Sequence, residues 1–116
     1  MRKVAIHFPI VVYPSEHADI GPFTAHCLNL DIIADDETIE GAVSKLLETI
    51  EQHLDAAEAH GADPIQMAPE SYWTKLRSAK RIPRELLDRI IGSANKRHQL
   101  RPLDPAQLEI RELQPA

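Results

Sequence analysis

The feature that most constrains this chain is an apolar stripe near its middle. Ile39, Ala42, Val43, Leu46, Leu47, Ile50 and Leu54 recur at the three- and four-residue spacing of one helix face. Thr38 precedes the stripe as an N-cap, and Glu40 in the first turn suits the positive end of the helix dipole. Gly41 costs about 0.5–1 kcal/mol relative to alanine inside a helix, which points to close packing there. His60-Gly61 supplies the stop. A long amphipathic helix needs an apolar surface to lie on, and the rest of the 116 residues must build it.

The segment before the helix has strand character. Residues 3–14 are rich in β-branched and aromatic types, with Val4, Ile6 and Phe8 alternating against Ala5 and His7. Pro9 removes a ladder donor, so this strand is expected at a sheet edge or with a bulge. Ser15 to Pro22 reads as a turn, Phe23 to Leu30 as a second strand and Asp31 to Ala34 as a short third, ended by Asp35-Asp36-Glu37. Beyond the long helix, Pro69 to Ala79 forms a short helix presenting Tyr72, Trp73 and Leu76. Pro83 at the first helical position opens another, with Leu86, Leu87, Ile90, Ile91 and Ala94 on one face; Pro102 and Pro105 end it. A fourth strand falls at Gln107 to Leu113 or within the 64–82 segment. The expected class is α+β: a small antiparallel sheet with a three-stranded meander, one long helix, a fourth strand and a helical extension. The expected organisation is a core at 1–63, a basic helical extension at 64–106, and a last strand and tail at 107–116.

Charge is segregated along the chain. Glu16 to Glu70 carries thirteen acids and one base, whereas Lys75 to Arg101 carries nine bases and two acids. On the long helix Glu48, Glu51, Asp55 and Glu58 form an acidic stripe, whose like-charge spacings cost a few tenths of a kcal/mol each. A basic partner relieves that repulsion, and so does the chain's own basic arm; a solvated helix face explains the stripe equally well. The bases Lys80, Arg81, Arg84 and Arg89 are the candidate nucleic-acid contacts.

Enzyme chemistry finds little material. There is no Gly-x-Ser-x-Gly elbow, and the four glycines do not form a phosphate-cradling loop. His26 and Cys27 are strand neighbours whose side chains diverge, so they make no dyad, and Cys27 reads as a small buried hydrophobe. His53 and His60 lie about 10.5 Å apart along the helix, too far to share a metal ion. Neither a catalytic residue, a metal nor a cofactor is expected. Arg2-Lys3 followed by Val4-Ala5-Ile6 begins like a signal peptide, but His7 and Pro9 interrupt it and no apolar run approaches membrane-spanning length. A cytoplasmic protein without membrane contact is expected.

The stretch from Phe23 through Phe-Thr-Ala-His-Cys-Leu-Asn-Leu-Asp to Asp-Glu-Thr-Ile-Glu-Gly-Ala and the long helix resembles the HicB-like antitoxin family. Cys27, Leu30, Asp31, Thr38, Glu40 and Ala42 match its pattern. Leu28, Asp36 and Gly41 depart from it, standing where proline, glycine and glutamate are common. With the first strand, the likeness covers roughly half the chain. It implies a partial ribonuclease-H-like fold of three antiparallel strands, a helix, and a fourth strand beside the first. No nuclease activity follows, because Val4 to Tyr13 holds no acid for a two-metal site. The implied function is neutralisation of a small, basic, HicA-like RNA-cleaving toxin by an oligomer. Many relatives also bind operator DNA, and Lys80 to Leu87 looks like the strand and first helix of a ribbon-helix-helix, although Pro102 and Pro105 fall where its second helix would run. Two other readings stay open: a nucleic-acid-binding transcriptional regulator using the basic 75–101 segment, and a scaffold that self-associates through Tyr72, Trp73 and Leu76.

Overall fold

A computed structural model describes residues 7–16, 21–98 and 108–113, with side chains described for these except at 94–98. Val4, Ile6, Pro102 and Pro105, and the side chain of Ala94, lie outside the described residues. The elements run β1 (Phe8–Pro14), β2 (Phe23–Cys27), β3 (Ile32–Asp36), α1 (Ile39–Ala59), α2 (Glu70–Ser78), β4 (Lys80–Arg81), α3 (Arg84–His98) and β5 (Leu108–Glu112). They make a small α+β protein whose five strands are ordered β3-β2-β1-β5-β4. The meander β1-β2-β3 is antiparallel as expected. The sheet as a whole is mixed, not antiparallel: β5 runs parallel to β1, with Phe8 opposite Leu108 and Val12 opposite Glu112. The helices between β3 and β5 carry the chain back to the starting edge, which a parallel neighbour requires. Both expected locations of an added strand hold one, since Lys80–Arg81 pairs antiparallel with β5 at the sheet's edge.

Of the two outcomes expected from Pro9, an edge or a bulge, the edge does not hold: β1 is central, and its register with β2 runs unbroken from Ile10 to Pro14. Odd-numbered residues of β1 direct their backbone polar groups toward β2 and even-numbered ones toward β5. Thus the Pro9 carbonyl accepts from Leu28 N–H at 3.0 Å, and the Val12 carbonyl accepts from Leu113 N–H at 2.8 Å. The donor that proline lacks would serve the Leu28 carbonyl, and Ala68 N–H serves it instead at 2.8 Å. A distant loop therefore satisfies the acceptor that Pro9 leaves open.

All six residues from Phe8 to Tyr13 are buried, because both faces of β1 are covered. On one face Phe8, Ile10, Val12, Ala25, Cys27, Leu108 and Ile110 pack against Ala42, Val43, Leu46, Leu47 and Ile50 of α1, and Ile90 of α3 joins them. On the other, Val11 and Leu28 meet Ala68, Leu76 and Ala79, with Tyr72, Trp73 and Leu113 alongside. Tyr72, Trp73 and Leu76, offered by the sequence as a self-association surface, thus pack on their own sheet. Asp35 and Asp36 extend β3 rather than ending it.

α1 is bounded as its sequence predicts. Thr38 Oγ1 accepts from Gly41 N–H at 2.9 Å, and a Cβ at Gly41 would overlap the Asp36 carboxylate. At the far end His60 is the C-cap, Gly61 adopts φ 63°, and Ala62 N–H and Gly61 N–H return to the Ala57 and Glu58 carbonyls at 2.8 and 3.2 Å. This double bond pattern needs a left-handed residue at Gly61. Gly92, by contrast, lies within α3 with open space where a Cβ would go. Gly61→Ala is expected to lower stability by about 1 kcal/mol, and Gly92→Ala to raise it by about 0.5–1 kcal/mol. Urea midpoints measure both; equal signs would contradict these helix boundaries.

Candidate functional site

The sheet face opposite α1 is unevenly covered. α2 and the 62–69 segment sit over β1 and the β2–β3 turn, anchored by Gln66 N–H to the Asn29 carbonyl (3.0 Å) and by His53 Nε2 to the Pro64 carbonyl (2.9 Å). Among the described residues the strip over β3 is left open, and Ile33 is 45% exposed there. Between the covered and open parts lies a cavity of about 380 Å³ lined by Tyr13, Glu16, Thr24, His26, Asp31, Ile33, Pro69 and Tyr72.

Period-two alternation places Thr24 and His26 of β2 on this face while Ala25 and Cys27 enter the α1 core. His26 is buried, and both ring nitrogens are engaged. Nε2 lies 2.8 Å from Asp31 Oδ1 and Nδ1 lies 3.1 Å from Tyr13 Oη. An ionised carboxylate only accepts, so Nε2 carries the proton and the bare Nδ1 takes the Tyr13 hydroxyl hydrogen. Asp31 reaches the ring from a tight four-residue turn in which it adopts φ 53°, a left-handed conformation that aspartate tolerates better than most residues. Tyr72 closes the group edge-on, 4.6 Å from the His26 ring and 5.8 Å from Tyr13 between centroids. Lys75 Nζ stands 4.4 and 4.9 Å from the centroids of Tyr13 and Tyr72, within cation–π range. Beside them Thr24 Oγ1 donates to Asp35 Oδ1, which also accepts from Ser15 Oγ at 3.2 Å.

Burial sets the protonation of this group. It lowers the His26 pKa below the ordinary histidine value; Asp31 opposes the shift and the Lys75 charge adds to it. The Tyr13 phenol is pushed well above its ordinary value by burial, then by Tyr72 and nearby acids. The connectivity hydroxyl–imidazole–carboxylate is that of a nucleophile relay, but a phenol so raised resists giving up its proton. The arrangement fixes a neutral histidine and orients its neighbours. On the other face Cys27 is fully buried and its thiol is pushed up to about 12 by burial, so it behaves as the core hydrophobe expected.

The residues singled out from sequence lie elsewhere. Glu48 and Glu51 of the acidic stripe are half-buried on α1, and Asp55 and Glu58 are exposed. Lys80 and Arg81 are exposed on the edge strand β4. Arg84 pairs with Asp88 at 3.0 Å within α3, and Arg89 reaches Glu40 of α1 at 3.5 Å. Part of the basic arm thus folds onto the acidic helix. Among the described residues no cluster of three or more histidine, cysteine or acidic side chains is placed to hold a metal ion, and no helix is long and apolar enough to cross a membrane. Sequence reading paired His26 only with Cys27 and missed Tyr13, Asp31 and Tyr72; the polar members Thr24 and His26 at period two were the available signal. Comparisons with family models, with curated proteins and with solved structures find no match to this chain.

The lowered His26 pKa fixes a pH dependence. The unfolded chain takes up a proton near pH ~6.5 while the folded one resists it, so the unfolded state binds more protons below that pH. Stability is therefore full above about pH 6.5 and falls as the pH drops from there toward the folded-state pKa. Urea midpoints of the wild type should decrease between about pH 7.5 and 5.5, and those of His26→Asn should decrease less. Parallel profiles for the two proteins would contradict the buried neutral imidazole.

Proposed function

We propose that this chain is a HicB-like antitoxin: a non-enzymatic, oligomeric binding module that neutralises a small, basic, HicA-like RNA-cleaving protein. The observation that carries the reading is the parallel placement of β5 beside β1 in a sheet whose first three strands form an antiparallel meander leading into α1. A meander, a helix and a further strand beside the first support the partial ribonuclease-H-like type that the resemblance over Phe23 to Leu54 implies. The Glu48-Glu51-Asp55-Glu58 stripe gives a basic partner a complementary helix face. DNA binding through Lys80, Arg81, Arg84 and Arg89 is the weaker reading, because Asp88 and Glu40 already neutralise two of the four cations.

Co-expression with any short basic reading frame that sits beside the gene tests the proposal. Such a frame alone should arrest growth, and this chain should restore it. The double variant Glu51→Lys, Asp55→Lys should restore growth less while its circular dichroism stays that of the wild type. Undiminished rescue by the double variant would remove the stripe as the interface. Failure of the wild-type chain to rescue growth from any arresting neighbour would overturn the antitoxin reading.

A further inference from the structure

The cavity on the α2 face has a one-sided hydrogen-bonding character. Three of the groups that line it direct their hydrogen inward: Tyr13 O–H to His26 Nδ1, His26 Nε2–H to Asp31, and Thr24 O–H to Asp35. What these groups keep is lone pairs: the remaining acceptor capacity of the Asp31 carboxylate, Thr24 Oγ1 and Tyr13 Oη, and Glu16 also lines the cavity. The walls are the Tyr13 and Tyr72 rings and the exposed Ile33 side chain. The chain itself shows which charge these rings receive, since Lys75 Nζ stands over both of them. Among the described residues, two carboxylates, Glu16 and Asp31, line the cavity against the one Lys75 ammonium beside it, a balance that favours a further positive group.

We infer that this cavity is an anchor site for one arginine side chain of a protein partner, its guanidinium meeting Asp31 and Glu16 and its aliphatic stem lying along Ile33. A guanidinium brings five donors and no acceptor to a surface rich in acceptors, and it stacks on aromatic walls, which an ammonium does less well. The volume is in the range of small-ligand sites and suits one side chain with its flanking backbone. His26 is a positioning residue: its Nε2–H holds the Asp31 carboxylate and its Nδ1 holds the Tyr13 hydroxyl. The inference rests on the reading of the chain as a protein-binding module, and it adds a contact point on the sheet face opposite α1.

The test is an NMR titration of the full chain, carrying 13C- and 15N-labelled histidine, with N-acetyl-arginine amide. N-acetyl-citrulline amide, of nearly equal shape but uncharged, is the control. Saturable shifts of the His26 ring are expected with the arginine compound, and citrulline should bind at least about tenfold more weakly. Asp31→Asn should weaken arginine binding by about tenfold, and the exposed Glu16→Gln by several-fold, which keeps the test open should Asp31→Asn disturb the turn. Absence of saturable His26 shifts, equal binding of citrulline, or unaltered binding in both variants would overturn the site. Growth rescue separates this from the antitoxin reading. Full rescue by Glu16→Gln and by a folded Asp31→Asn would leave the antitoxin standing and overturn the cavity as its anchor. Arginine binding by a chain that rescues no growth would keep the cavity and remove the toxin as its occupant.

Discussion

The structure depends on the burial of β1 from every side. Its six residues from Phe8 to Tyr13 are shielded above by α1 and α3, below by α2, and laterally by β2 and β5. A strand in that position needs every backbone group paired, and proline at its second residue leaves one pairing incomplete. The segment that follows α1 closes the gap, because Ala68 N–H takes the Leu28 carbonyl and Gln66 N–H takes that of Asn29. The same docking sets α2 on the sheet, with the Trp73 indole N–H bonded to the Ala68 carbonyl at 3.1 Å. The open strip over β3, and with it the cavity, is what this docking leaves uncovered.

The two faces of the sheet consequently differ in chemistry. The α1 face is continuous and mainly aliphatic, with Phe8 and Phe23 its aromatic members. The other carries most of the described aromatic side chains and a buried imidazole whose partners come from a strand, a turn and a helix. Burial keeps that imidazole neutral, and neutrality lets it donate to Asp31 while accepting from Tyr13. With the imidazole neutral and the Asp31 carboxylate partly exposed, the group orders its members without burying a full ion pair. It leaves the cavity lined by fixed hydrogen-bond acceptors.

Much of the architecture is written locally and is legible in the chain. The stripe from Ile39 to Leu54, the Thr38 cap and the His60-Gly61 stop describe α1 through i, i+3 and i, i+4 relations alone. The hairpin strands, the short helix at Glu70–Ser78 and the last strand are likewise local patterns. Long-range closure is what escapes such reading. Pro9 signals an edge by the ordinary rule, and only the return of Ala68 makes a central position tenable. Lys80–Arg81 reads as a strand from sequence, but its pairing antiparallel with β5 at the sheet's edge is set by that distant strand. The candidate site is less legible still: Asp31 meets His26 across a turn, Tyr13 through the register of a hairpin, and Tyr72 through a helix docked from beyond α1.

The acidic helix and the acceptor-lined cavity are what the proposed reading assigns to a basic protein partner. The most direct measurement is a low-salt capture on the tagged full chain from its native host, with mass spectrometry and an RNA-cleavage assay of the eluate. The account predicts a small basic protein retained in stoichiometric amount, whose RNA-cleaving activity appears only when it is separated from this chain. Retention of DNA alone, or of a partner without RNA-cleaving activity, would contradict it.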